Sequence, residues 1–272
     1  MSKVLSDFHT HTKYCDGKNT VFEMAERAYA LGFSTLGFSG HGFTVFDESY
    51  CMSRSNTESY IRDVLAARES YRGRMSILLG TETDIFDPVN RAPYDYIIAS
   101  SHYLRLGEEY LPIDCSLEDF SRILTERFDG NFARLAEQYY TELTAIGKVC
   151  PDADIIGHLD LVTKYSDVLN LPLDNKYFDI AISAAEELSK LDMLFEINVG
   201  AITRGYRTTP YPAAPILKRI RECGGRIIIT GDCHDAKRLG DHFDTALALA
   251  RECGFASRFE LSEGGVREAP IK

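Results

Sequence analysis

The chain has 272 residues, of which 44% are hydrophobic and 26% charged, with 30 Lys and Arg against 41 Asp and Glu and a formal charge of −11. This composition excludes a disordered, collagen-like or fibrous protein, and the length suits one large α/β domain or two small ones. The acidic balance argues against broad contact with nucleic acid or anionic lipid, and admits a small anionic substrate only beside a local positive centre.

The N-terminal Met-Ser-Lys-Val-Leu-Ser-Asp lacks the apolar run of a signal peptide, and no stretch approaches the roughly 18 apolar residues of a membrane span. A cytoplasmic protein without membrane contact is expected. Cys15, Cys51, Cys115, Cys150, Cys223, Cys233 and Cys253 include no CxxC pair. They read as reduced thiols, not as a disulfide framework or zinc ribbon.

Short β-type runs alternate with helical patterns along the chain, as in a parallel α/β sheet. The first strand is predicted over residues 3–12. Thr20 and Glu23 then form a capping box ahead of Met24, Ala28 and Leu31 at helical spacing. A second strand over 35–41 precedes a helix capped by Thr57 and carrying Ile61, Val64 and Leu65. Strands over 76–85 and 94–103 follow. About fifty residues then separate the fourth strand from the fifth, roughly three times what a crossover helix needs. This stretch, about 104–153, reads as an insertion with a polar loop over 106–116 and two helical segments broken at Asp129 and Gly130. The remaining strands are predicted over 154–161, 194–199 and 226–232. Before the last of them Pro215 opens a helix with Ile216, Leu217 and Ile220 that stops at Gly224 and Gly225. Closed barrel and open doubly wound sheet both satisfy seven strands in this alternation. The absence of GxGxxG after the first strand disfavours a dinucleotide site.

Six of the seven histidines, His9, His11, His41, His102, His158 and His234, fall at the C-terminal end of a predicted strand. Active sites of parallel α/β folds assemble there. In Asp7-Phe-His9-Thr-His11, alternation puts three polar side chains on one strand face, and two imidazoles at i and i+2 can chelate one ion. Asp232-Cys-His234 repeats the geometry after the apolar run Ile227-Ile-Ile-Thr230. Glu82 follows Ile77-Leu-Leu79-Gly80-Thr81, where a carboxylate is costly unless paired or metal-bound. Asp16 lies in a turn close enough to join the cluster. Any one of these histidines alone reads as a structural residue; five such strand ends together point to a polynuclear metal centre. His242 opens a helix and is left outside it.

The pattern resembles the PHP (polymerase and histidinol phosphatase) superfamily, and within it the monofunctional histidinol-phosphate phosphatases. The resemblance rests on Asp7-Phe-His-Thr-His11, Gly40-His41, Gly80-Thr-Glu82, Ser100-Ser-His102, Gly157-His-Leu-Asp160, Glu196-Ile-Asn198 and Gly231-Asp-Cys-His234. It implies a distorted (β/α)7 barrel spanning residues 1–272, with the insertion between strands 4 and 5, holding up to three divalent ions of zinc, manganese or iron. By resemblance His9, His11, Glu82 and Asp232 hold one ion. Glu82 bridges to a second, completed by His102 and His158, and Asp16, His41 and His234 hold the third. Cys233 stands where these phosphatases commonly carry alanine, and Asn198-Val-Gly-Ala-Ile-Thr-Arg204 matches the phosphate-contacting segment more loosely.

The implied reaction is hydrolysis of L-histidinol phosphate to L-histidinol and phosphate by a metal-activated hydroxide, with Glu82, Asp232 and His234 as catalytic residues. Arg204, Arg207 and Lys164 are the substrate-binding candidates, because a guanidinium fork matches phosphate oxygens. Asp47, Glu48, Glu108, Glu109 and Asp114 are candidate partners for the substrate's ammonium, and Phe43, Phe46 and Tyr103 for its ring. The competing readings are a phosphoesterase of the same family acting on another small phosphate or a nucleotide, and a non-catalytic metal-binding module. The expected partner is a small phosphorylated molecule; the sequence does not speak to oligomeric state.

Overall fold

The computed structural model describes residues 4–271. Lys3, where the first predicted strand begins, lies outside them. In chain order the elements are β1 (Ser6–Asp7), α1 (Val21–Ala30), β2 (Thr35–Phe38), α2 (Arg54–Tyr71), β3 (Ser76–Asp84) and β4 (Tyr96–Ser100). After these come β5 (Tyr103–Leu106), β6 (Glu109–Pro112), α3 (Leu117–Phe128), α4 (Phe132–Leu143), α5 (Ile146–Val149) and β7 (Ile155–Ile156). The chain continues through α6 (Ser166–Leu169), α7 (Asn175–Leu188), β8 (Leu194–Asn198), α8 (Gly200–Thr203), α9 (Ala214–Glu222) and β9 (Arg226–Thr230). It ends with α10 (Phe243–Glu252), β10 (Ser257–Ser262) and β11 (Gly265–Pro270). Among the described residues no helix is long and apolar enough to cross a membrane.

The main sheet runs β1-β2-β3-β4-β7-β8-β9-β10-β11, parallel throughout except for the β10–β11 pair. It curls so far that the chain beyond β1 meets the chain beyond β9. Thr10 bridges Cys233 in parallel register. There the His11 N–H donates to the Cys233 carbonyl and the Cys233 N–H to the His9 carbonyl, each at 2.9 Å. Inside the curl, Phe8, Leu78, Tyr96, Ile98, Ile155, Leu194, Ile228 and Leu261 form a buried apolar cluster. Burial of each such side chain contributes about 1.5–3 kcal/mol relative to exposure. Tyr96 lies across this interior, and its hydroxyl donates to the carbonyls of Phe8 (2.7 Å) and Phe38 (3.0 Å). A Cβ at Gly80 would lie 2.3 Å from Tyr96 Cζ, so this strand position admits only glycine.

Local signals account for most helix ends. Thr20 and Glu23 make the reciprocal capping box of α1. Asp129, left-handed at φ 54°, ends α3, and Gly130 follows at φ 70°. Ala213 is the N-cap of α9, with Pro215 in its first turn.

Three expectations are corrected. Ser53, not Thr57, caps α2: its hydroxyl accepts the Asn56 N–H at 3.1 Å, and the Thr57 hydroxyl donates back to the Ser53 carbonyl. The predicted loop over 106–116 is largely the β5–β6 hairpin, in which Leu104 pairs with Leu111 and both are buried. The sheet also extends past the seventh predicted strand through β10, whose Phe259 pairs with Ile228, and β11. The helices of the 104–153 stretch bury Phe120, Phe132, Leu135, Tyr139 and Tyr140 in the same core as α1, α2 and α9.

Candidate metal centre

The C-terminal strand ends gather the predicted ligands around Glu82, which β3 delivers almost wholly buried (1% exposed). His9 and His11 follow β1, both buried, while the intervening Thr10 donates to the Gly37 carbonyl at 2.8 Å. The period-two alternation that aims both imidazoles inward thus also ties the segment to β2. His9 Nε2 lies 3.1 Å from Glu82 Oε2, and His11 Nε2 lies 3.6 Å from the same oxygen. Asp232 Oδ1 stands 3.7 Å from His9 Nε2 and 3.3 Å from His11 Nε2. On the other side of Glu82, Oε1 is 3.3 Å from His102 Nε2 and 3.0 Å from His158 Nε2. His41 places Nδ1 3.1 Å from Glu82 Oε2 and Nε2 3.8 Å from Asp16 Oδ2. Asp16 also meets His234 Nε2 at 3.0 Å and His11 Nδ1 at 3.4 Å. All nine predicted ligand positions therefore come together, and His242 caps α10 on the surface, away from them.

Asp232 reaches its position through strained backbone. Its φ of 46° is left-handed, a conformation that costs of order 1–3 kcal/mol in a non-glycine residue and concentrates at functional sites. Gly200, at the start of α8, makes room for it: a Cβ there would sit 2.7 Å from Asp232 Oδ2.

The donor set fits divalent cations. His9 Nε2, His11 Nε2, His102 Nε2 and Glu82 Oε2 are buried without a hydrogen-bond partner. Orphaned polar atoms converging at such depth are costly unless something else satisfies them. Three groups of residues can each hold an ion: His9, His11 and Glu82; His41, Glu82 and His102; and His11, Asp16, His41 and His234. Charge supports the same fit. Burial would raise the Glu82 carboxyl, but the field of His9, joined by that of His102 and its hydrogen bond, holds it well below the usual range. Asp232 is likewise held low against burial by Arg204 and His9. Burial, reinforced by the neighbouring His11 and His102, pushes His41 down to about 3 against the pull of Glu82 and Asp16, leaving it a neutral donor.

Four neighbouring residues were not singled out from the sequence as parts of the site. Glu196 accepts from His9 Nδ1 at 2.5 Å, and Asp84 contacts His102 Nδ1 at 3.3 Å. Both are acidic residues inside apolar strands, the same signal that marked Glu82. Cys15 Sγ lies 3.6 Å from His11 Nδ1, and the Tyr50 ring packs edge-on to His41. Neither had a signal in sequence. Asp7, expected to share the face of His9 and His11, instead accepts the His9 and Gly231 N–H groups and ties β1 to β9.

Beside the cluster opens a cavity of about 700 Å³ whose walls include Asp16, Asp114, Lys164, Arg204, Tyr206 and His234. Arg204 Nη1 is 3.3 Å from His234 Nδ1. Lys164 is buried over the Tyr206 ring and donates to Asp114 Oδ1 at 2.6 Å. Arg207, expected beside them, does not line this cavity. It is 6% exposed, donates to Thr163 Oγ1 at 2.6 Å, faces Asp160 Oδ2 at 3.6 Å and stacks on Tyr211. Of the other recognition candidates, Asp114 lines the cavity. Asp47 accepts the Tyr103 hydroxyl, Glu109 pairs with Arg127, and Phe46 stacks on Tyr110.

The chain matches the PHP domain over residues 7–200. It belongs to the PHP domain family. It is 24% identical over 266 residues to the histidinol-phosphatase of Bacillus subtilis, an alignment covering 89% of this chain and 97% of that one. A solved structure from Listeria monocytogenes is similar with a TM-score of 0.77 at 19% identity, covering 88% of this chain and 99% of the other. The histidinol phosphate phosphatase of Lactococcus lactis, solved with zinc, L-histidinol and phosphate, is similar with a TM-score of 0.71 at 18% identity over 96% and 98% of the two chains.

Proposed function

We propose that this PHP protein is a metal-dependent phosphomonoesterase that hydrolyses L-histidinol phosphate to L-histidinol and phosphate. The observation that carries the reading is the gathering of nine ligand-type side chains, Glu82 among them, beside a cavity presenting Arg204 and Lys164. Relatives named for this activity span nearly the whole chain, and the Lactococcus relative binds zinc together with both products.

In this reading His9, His11, Glu82 and Asp232 hold one divalent ion, Glu82, His102 and His158 a second, and Asp16, His41 and His234 a third. Zinc, manganese and iron all accept imidazole and carboxylate donors. Such ions lower the pKa of bound water from about 15.7 toward 7 and polarise phosphoryl oxygens. The chain's own groups do the rest. Glu82 and Asp232, held anionic, would supply carboxylate oxygens to the ions beside the imidazoles. Arg204, anchored on Asp232, offers its fork to the phosphate as charge develops. Asp114 and Tyr206 lie on the cavity wall, where an ammonium and an imidazole need an acid and a flat ring. An otherwise acidic protein thereby concentrates positive charge at one mouth.

The fold is read as a distorted (β/α)7 barrel spanning the chain, with β1–β4 and β7–β9 as its seven strands and residues 104–153 as the insertion. Support comes from their parallel order and the Thr10–Cys233 bridge. A cytoplasmic location and a small-molecule partner belong to the same reading.

The test is phosphate release by metal-reconstituted protein from histidinol phosphate, nucleoside monophosphates and short oligonucleotides. Preference for histidinol phosphate in kcat/KM is expected. Preference for another phosphate would move the substrate assignment within the family, and no release from any would leave a metal-binding module.

A further inference from the structure

Glu196 is a fully buried carboxylate, 1% exposed, with every hydrogen bond directed at it. Oε1 accepts from His9 Nδ1 at 2.5 Å and from the Thr230 hydroxyl at 2.6 Å. Oε2 accepts from the His158 backbone N–H at 2.6 Å and from Asn198 Nδ2 at 2.9 Å. One side chain on β8 thus touches the segments that follow β1 and β7 and the end of β9. Two of its four donors belong to histidines at the candidate metal positions. With Nδ1 engaged as a donor, the His9 ring presents its other nitrogen, the orphaned Nε2, toward Glu82 and Asp232.

We propose that Glu196 is a positioning residue that fixes the ring orientation and proton placement of His9 and the backbone of His158, so that both imidazoles meet divalent ions in register. This rests on the reading that the cluster holds such ions. The physical reason is acceptor count. Carboxylate oxygens accept at both ends, as four converging donors require, whereas an amide accepts at one end only and donates at the other. In Glu196→Gln, an amide oxygen facing His158 and Asn198 leaves the NH₂ against His9. His9 must then accept at Nδ1 and carry its proton on Nε2, which removes the lone pair an ion needs. The opposite amide orientation sets the NH₂ against the His158 N–H and displaces that backbone. Outer carboxylates of this kind typically change metal affinity by 10–100-fold when altered.

The experiment is a chelator competition that measures zinc affinity and stoichiometry for wild type, Glu196→Gln and Thr230→Val. The valine variant removes one donor to the same oxygen and leaves the His9 contact. Glu196→Gln is expected to weaken the tightest sites roughly ten- to a hundredfold, and Thr230→Val to leave them within about threefold, well under that range. Equal losses in both variants would mark Glu196 as merely structural, and unchanged affinity in Glu196→Gln would overturn the proposal. Should Glu196→Gln not fold, nitrogen-15 spectra of histidine-labelled, metal-free wild type decide. The His9 signal, assigned by its loss in His9→Gln, should report a hydrogen-bonded proton on Nδ1. A neutral ring carrying its proton on Nε2 would overturn the assignment. If wild type binds no divalent ion, the metal reading itself fails; if it binds ions that Glu196→Gln binds as tightly, only the role of Glu196 does.

Discussion

The Asp232 carboxylate divides between Arg204 and the candidate metal ligands: Arg204 Nη2 lies 2.8 Å from Asp232 Oδ2, while Asp232 Oδ1 faces the imidazoles of His9 and His11. The guanidinium is 28% exposed, so it is held by the buried acid yet open to the cavity. A charge-assisted contact to phosphate contributes about 1.5–3 kcal/mol. Arg204→Ala is therefore expected to lower kcat/KM roughly ten- to a hundredfold, at 1.36 kcal/mol per decade. Steady-state kinetics with metal content checked in each sample would measure it. A change within about threefold would leave phosphate to the metals and other groups.

Arg207 should behave differently because its partner is Asp160, with the two side chains 3% and 0% exposed. Removing one member of a buried ion pair strands the other and costs about 3–5 kcal/mol. Arg207→Ala is expected to lower the thermal midpoint by on the order of 10 °C, with the surviving folded enzyme keeping its KM. A KM effect with an unchanged midpoint would return Arg207 to the list of substrate contacts.

His9→Ala and Glu82→Ala are expected to lower turnover by roughly two decades or more without unfolding the chain. Both side chains belong to the ligand cluster and to neither of the buried apolar clusters. Circular dichroism and metal analysis accompany the assay. Near-native rates at saturating metal in either variant would show that residue to be no ligand, and fewer than two ions per wild-type chain would end the polynuclear reading.

Chelation should destabilise the protein as well as inactivate it. A ligand bound only by the folded state at a hundred times its Kd contributes about 2.7 kcal/mol. Without cations, Glu82 and Asp232 face the imidazoles with orphaned atoms left buried. A lower melting midpoint after chelator treatment, restored by zinc, is expected from differential scanning fluorimetry. An unchanged midpoint in protein shown to be stripped of metal would contradict it.

Thiol reactivity tests the reduced, metal-independent role of the cysteines. Cys223 is exposed, whereas burial pushes Cys150 and Cys233 up to about 12. At pH 8 a thiol titrating near 12 is about one part in ten thousand thiolate, the reactive form. Ellman's reagent should label Cys223 rapidly, a phase lost in Cys223→Ser, and Cys150 and Cys233 only after unfolding. Rapid labelling of Cys150 or Cys233 in the native protein would show that those sites open.

What the amino-acid sequence determines here is whatever rests on local period and end signals. Apolar runs such as Ile77-Leu-Leu79 and Ile227-Ile-Ile229 mark buried strands, and a histidine or acid just beyond each run lands at the same sheet end as its counterparts. Parallel strands in chain order leave it no other place. Thr20 with Glu23, and Asp129 with Gly130, mark helix ends through bonds made within a few residues. Tertiary structure decides the rest. Arg204 and Arg207 lie three residues apart and look alike in sequence, yet the path of the loop after α8 sends one to Asp232 and buries the other against Asp160. Glu196 and Asp84 become partners of His9 and His102 only because distant strands meet. The β5–β6 hairpin and β10 carry short, partly polar alternations that become strands when Leu111 and Leu261 find apolar neighbours across the fold. Direction of a side chain beyond a strand end depends on backbone dihedrals, such as φ 46° at Asp232, that packing selects. Residue type alone does not encode them, because left-handed backbone is open to an aspartate only where surrounding contacts repay its strain.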